Sequence, residues 1–165
     1  MKKSVSIITF LLMILLVVFL KTIPTAACSC MPPPPADLAL SEATAVFSGE
    51  AMEVKISKGA NGKTIHFKVG EIWKGIDSAY VSVFTGNDSA SCGINFTVGK
   101  EYLVYAHSFD STGKSILSST LCDRTAELAN AADYLALIGA GKIPEQTTTP
   151  PTNQYDFNPV ILVVV

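Results

Sequence analysis

The chain has 165 residues, of which 48% are apolar and only 16% charged, which excludes a disordered polyelectrolyte and a collagen-like repeat and allows one ordinary domain. Its formal net charge is −2, but three of the 12 basic residues (Lys2, Lys3, Lys21) and none of the 14 acidic ones lie within the first 27 positions, so the remainder carries −5. No basic stripe is left there, and neither a nucleic-acid partner nor an anionic membrane surface is expected.

The first element is a leader. Lys2 and Lys3 precede a run from Val5 to Leu20 that is apolar except for Ser6 and Thr9, and Thr25-Ala26-Ala27 comes after it. This is the grammar of a secretory signal over residues 1–27, cleaved after Ala27, and it predicts a secreted or cell-surface protein. The run is short for a retained span of about 20 residues, so no stable membrane span is expected in the mature chain. Lipid attachment at Cys28 would want Leu three positions earlier, where this chain has Thr25.

All four cysteines, Cys28, Cys30, Cys92 and Cys122, lie beyond the cleavage point. An even number in an exported chain reads as a disulfide framework. Four cysteines allow three connectivities. Pairing Cys28 with Cys30 makes a strained small ring, so two long-range bridges are favoured, each closing more than 60 residues. In the chain-entropy model such a bridge contributes roughly 4 kcal/mol.

Pro32 to Pro35 fix φ and remove four amide donors, so this segment is extended and rigid and cannot be a central strand. Ala36 to Ala45 reads as a short helix. Strands come next over Val46 to Ile56, Thr64 to Val69, Tyr80 to Phe84, Glu101 to His107 and Ser115 to Leu121. The second alternates with Ile65, Phe67 and Val69 on one face. Asn61-Gly62, Gly86-Asn87-Asp88 and Asp110 to Gly113 mark turns. After Cys122 the period changes: Asp123 is a candidate cap, and Leu128, Ala131, Ala132 and Leu135 form a helical stripe ending at Gly139. The fold class is therefore mainly β: a small five-stranded closed barrel with one or two flanking helices, since closure hides sheet edges. The domain is expected over 28–142, with a Thr/Pro-rich linker and short apolar tail over 143–165.

Several motifs resemble one family. Cys28-Ser29-Cys30 with Pro32 just beyond resembles the amino terminus of the tissue inhibitors of metalloproteinases (TIMPs). Ser89-Ala90-Ser91-Cys92-Gly93 resembles the family's second cysteine region. Val98-Gly99-Lys100-Glu101-Tyr102-Leu103-Val104 and Thr120-Leu121-Cys122-Asp123 resemble the family's segments downstream of that region, and Trp73-Lys74-Gly75 sits where the family has an aromatic-Lys-Gly turn. The match covers about Cys28 to Asp123. It implies a netrin-like domain on an OB-type barrel, with bridges Cys28–Cys92 and Cys30–Cys122. Where the family has a third cysteine, this chain has Leu40 or a neighbour, and where animal members carry a second cysteine-rich domain a linker is expected.

The resemblance also implies a mechanism. A metalloprotease keeps an open zinc position for water. The freed α-amine and carbonyl oxygen of Cys28 chelate that zinc in trans, and a free α-amine titrates near pH 8, so its neutral form is accessible at modest cost. Ser29 then points at the main specificity pocket, and Cys30, Met31, Ser89, Ala90 and Ser91 complete the inhibitory contacts. The expected partner is a zinc metalloprotease. The alternative is a netrin-like extracellular binding or adhesion module that does not inhibit. A thiol–disulfide enzyme using Cys28-Ser29-Cys30 would need the two cysteines exchangeable with each other. No paired carboxylates, nucleophile elbow or phosphate loop stands out, so no enzyme and no cofactor is expected. His66 and His107 read as plain strand residues, and Trp73 and Tyr102 as core or barrel-end residues. Asn87-Asp88-Ser89 and Asn95-Phe96-Thr97 match the glycosylation sequon, which matters only in a host that glycosylates.

Overall fold

The computed structural model describes residues 10–13, 28–56, 62–111 and 113–145. Residues 10–13 are helical; the rest of the leader and the tail beyond Glu145 lie outside the described residues. Among the described residues no helix is long and apolar enough to cross a membrane.

Residues 28–35 run extended into α1 (Ala36–Glu42). Then come β1 (Ala45–Ile56), β2 (Gly62–Lys74), β3 (Tyr80–Gly86), β4 (Glu101–Ser111), β5 (Lys114–Ser118), the two-residue β6 (Ala126–Glu127) and α2 (Ala132–Ile138). Neighbouring strands run β1-β2-β3-β5-β4, and β1 also pairs with β4, so five strands close a barrel of the expected OB type while β6 adds to β4. Closure depends on β1. It is 12 residues long and bulged at Val46/Phe47, Phe47/Gly49 and Ala51/Glu53, and those bends let one strand pair antiparallel with both β2 and β4. The barrel shuts on the other side through a short parallel contact, Val83↔Leu117 and Phe84↔Ser118.

The alternation seen in the sequence selects the interior. Ile65, Phe67 and Val69 are buried, with Phe47, Val83, Phe96, Tyr102 and Val104 around them. Phe67 packs edge-to-face on Phe47, Phe96 and Tyr102, with ring centroids 5.5, 5.2 and 6.4 Å away, a geometry that aromatic quadrupoles favour. A second cluster sits outside the barrel. There Ala39, Leu40 and Ala43 of the α1 region meet Ala131, Tyr134 and Leu135 over Val46, Leu103 and Tyr105. This apolar packing lies where the family resemblance would place its third bridge.

The carboxy-terminal helix starts later than the Leu128 stripe implies, and Asp123 does not cap it. Residues 125–127 are already committed to β4. Thr125 Oγ1 accepts from Tyr105 N at 2.9 Å and faces Tyr105 O at 3.2 Å, so a side chain replaces a ladder partner, and Ala126 and Glu127 then pair with β4. Leu128 falls in a 3-10 turn instead. Beyond α2 a strap returns to β2: Ile72 and Lys142 exchange backbone bonds of 2.8 and 2.7 Å, and Trp73 Nε1 donates to Gly139 O at 2.8 Å. The strap continues past Lys142, with Pro144 buried and Glu145 bridging Ser78.

The Trp73-Lys74-Gly75 turn requires its glycine. Gly75 has φ +79°, and a Cβ there would lie 1.9 Å from Thr44 O. Gly75→Ala should therefore destabilise the fold by more than about 1 kcal/mol, read as a lower denaturant midpoint at unchanged m-value.

Candidate functional site

The site is assembled from the segment Cys28 to Met31 and two loops. Cys28 bridges Cys92 and Cys30 bridges Cys122, with Cα–Cα distances of 5.3 and 5.1 Å, which is the pairing the resemblance implied. The bridges span 64 and 92 residues of sequence. They fasten the two sides of Ser29 to different loops, and Cys28 is therefore not exchangeable with Cys30. The sulfurs of Cys28, Cys92 and Cys122 lie within 4.8 Å of one another, but each belongs to a bridge and none offers a thiolate to a metal.

The first loop comes directly after β3 and is a 3-10 turn, Ser89–Ser91. Asp88 caps it: its carboxylate accepts from Ser91 N at 3.0 Å, while Ser91 Oγ accepts from Asp88 N at 3.1 Å. This reciprocal box satisfies donors that such a short turn leaves orphaned. Cys92 then takes a left-handed conformation, φ 57°. Gly86 and Gly93 let the loop fold tightly onto the end of β3, since a Cβ on Gly93 would lie 2.0 Å from Gly86 O. Lys63, buried at the start of β2, holds the loop from below, with Nζ donating to Asn87 O at 3.1 Å and Asn95 Oδ1 at 3.0 Å.

The second loop carries Cys122. Thr120 N and Thr120 Oγ1 both donate to Asp123 Oδ2, at 2.7 and 3.0 Å, so Asp123 closes a turn rather than capping a helix. Its other oxygen lies 3.3 Å from His107 Nε2. The loops are joined to each other and to the barrel: Leu121 N donates to Cys92 O, and Ser119 N to Phe84 O, each at 2.9 Å.

On this platform Ser29, Cys30 and Met31 are exposed, Met31 to 86%, and so are Ser89, Ala90 and Ser91. The bridge to Cys92 sets the Ser89–Ser91 turn beside Cys28. Ser29, Cys30, Met31, Ser89, Ala90 and Ser91 are thus all exposed, on two segments that the Cys28–Cys92 bridge joins. Lys63 and Arg124 were not legible in the sequence, because a buried lysine and a loop arginine acquire partners only when distant segments meet. Asp88 and Ser91 carry a readable signal, the capping spacing. His66 and His107 gather no metal-ligating set among the described residues. His66 Nδ1 lies 2.8 Å from Ser82 Oγ, and burial, then the charge of Lys55, holds the imidazole below its ordinary pKa. Tyr102 is a core residue whose hydroxyl accepts from Thr97 N at 2.9 Å.

The bonds from Ser91 hold the Asp88 carboxyl below the usual carboxylate range. A carboxylate so depressed stabilises the folded loop fully above its ordinary pKa of about 3.9 and loses that contribution as pH falls through the lower folded value. The Ser91 amide resonance should therefore hold its position from neutral pH down to about 4 and move only below it. Asp88→Asn should abolish that transition.

A small closed barrel with a Cys-Xaa-Cys segment stapled across two joined loops is similar to the TIMP-like class of domain. Comparison with known proteins agrees: the chain is 34% identical over 110 residues to metalloproteinase inhibitor 2 of Canis lupus familiaris, covering 61% of this chain and 48% of that protein. The chain carries a TIMP-like amino-terminal domain and spans about half the length of that curated relative. No family model matches the chain.

Proposed function

We propose that the mature protein is an exported inhibitor of zinc metalloendopeptidases, produced by cleavage after Ala27 and acting without catalysis of its own. One observation carries this reading: the two bridges pin Cys28 and Cys30 to separate loops and leave Ser29 between them exposed. A terminus held in this way enters a protease cleft with its ordering cost already met by the fold. Once freed, the neutral α-amine and the carbonyl oxygen of Cys28 occupy the zinc position otherwise held by water. Ser29 enters the adjoining specificity pocket, where a small hydroxyl side chain suits several pocket shapes. Met31 and the Ser89–Ser91 turn extend the contact on either side. The name of the relative, a metalloproteinase inhibitor, supports the target class.

The direct test is inhibition of a panel of zinc endopeptidases by secreted protein whose amino-terminal residue has been verified as Cys28. Dose-dependent loss of protease activity, abolished by carbamylating the amine, is expected. Inactivity across the panel would leave a binding module as the reading.

A further inference from the structure

Stapling at Cys30 leaves one question of geometry open. The two bridges hold Cys28 and Cys30, but none follows beyond Cys30, where Met31 is succeeded by four prolines. They bring no amide donors of their own, so their carbonyls need donors from elsewhere to fix a direction. Arg124 supplies them. Its Nε donates to Pro34 O and its Nη2 to Pro33 O at 3.2 Å, so one planar guanidinium spans two successive carbonyls. The opposite face of the arrangement is closed by Tyr134 of α2, whose ring centroid lies 4.9 Å from the guanidinium carbon. A fork that is both bidentate and stacked on a ring is held in direction as well as in position.

Arg124 lies two residues after Cys122. One loop therefore grips the terminal segment twice, through the Cys122–Cys30 bridge and through Arg124 at Pro33 and Pro34. With the Cys28–Cys92 bridge, these grips fix the segment at both ends of the stretch from Cys28 to Pro34. That stretch runs from the prolines through Cys30 to Ser29 and Cys28. Further along the chain Tyr105 Oη donates to Ala36 O at 3.4 Å, which continues the same track into α1.

We propose that Arg124 is a positioning residue for the exposed amino terminus, aiming Ser29 and Cys28 by clamping the proline segment against Tyr134. The proposal rests on the inhibitor reading for its consequence, but the clamp has a readout of its own. A lysine in its place keeps the charge and one donor, and loses the fork and the planar stack.

The experiment uses the mature protein with both bridges formed and measures backbone 15N order parameters together with inhibition. In the wild type, Ser29, Cys30 and Met31 should show order parameters near about 0.85, as rigid backbone does; in Arg124→Ala that of Met31, beyond the last bridge, should fall below about 0.6, and those of Ser29 and Cys30, between the two bridges, should fall less. Barrel amides, including those of β1 and β4, should be unchanged. Inhibition by Arg124→Ala should weaken about 10- to 100-fold, equivalent to about 1.4 to 2.8 kcal/mol. Arg124→Lys should recover part of both the order and the inhibition. Unchanged order parameters in Arg124→Ala would overturn the clamp whatever the inhibition data show. If Arg124→Ala fails to fold, Arg124→Lys decides: full wild-type order there would overturn the role of the fork. Loss of terminal order combined with an inactive wild type would uphold the clamp and refute the inhibitor reading, so the two failures are distinguishable.

Discussion

Adding one alanine ahead of Cys28 is expected to weaken inhibition by at least about 1000-fold, equivalent to about 4 kcal/mol, while leaving the fold intact. The free α-amine is the proposed metal ligand, and the extra residue turns it into a peptide nitrogen, which has no available lone pair at neutral pH. It also moves the new amine one residue away from the position that the bridges fix. Neither Cys28–Cys92 nor Cys30–Cys122 is touched, so thermal unfolding should be unchanged. Ser29→Gly should weaken inhibition far less, about tenfold, because it removes pocket contacts and leaves the chelate. The inhibition constants of the three proteins against one zinc endopeptidase, with melting curves alongside, check this ordering. An extended variant that inhibits as well as the wild type would sink the chelation mechanism.

The second large effect is on stability. Replacing Cys30 and Cys122 together by serine opens the bridge with the longer sequence separation, 92 residues, and in the chain-entropy model that costs about 4 to 5 kcal/mol. A domain of this size has about 5 to 15 kcal/mol in total, so the variant should unfold at a much lower denaturant concentration. The aromatic cluster of Phe47, Phe67, Phe96 and Tyr102 remains, and a folded barrel should survive at low temperature. Inhibition should be lost even there, since Arg124 would then grip a segment with no covalent hold at Cys30. Urea titrations of the two proteins measure the difference. A shift worth under about 1 kcal/mol would mean that the unfolded chain is already restricted by other contacts.

The alternation of Ile65, Phe67 and Val69, with turn residues between runs, made the strands legible, because a half-buried strand writes its two faces into alternate positions. The exposed site was legible for a different reason. Its residues flank cysteines, and the family resemblance implied which cysteines pair and hence which segments meet. The late start of α2 was not legible. Thr125 has no sequence signal for replacing a ladder partner on Tyr105, and that role depends on β4 lying alongside. The strap had the same character: Ile143 to Glu145 reads as the start of a linker until Ser78 is beside it.

By itself, then, the sequence determined the strand-rich class and the presence of two long-range staples, since each rests on local periodicity or on the chemistry of particular residue types. The tertiary structure alone decided how the exposed site is held and aimed. Lys63 beneath the Asn87–Asn95 loop, the Asp123–His107 contact and the Arg124 fork on Pro33 and Pro34 join residues that lie far apart in the chain, up to 91 positions for Arg124 and Pro33. Hydrogen-bond direction and charge pairing act over a few ångströms, so these contacts exist only after the barrel has closed and brought its loops to one end.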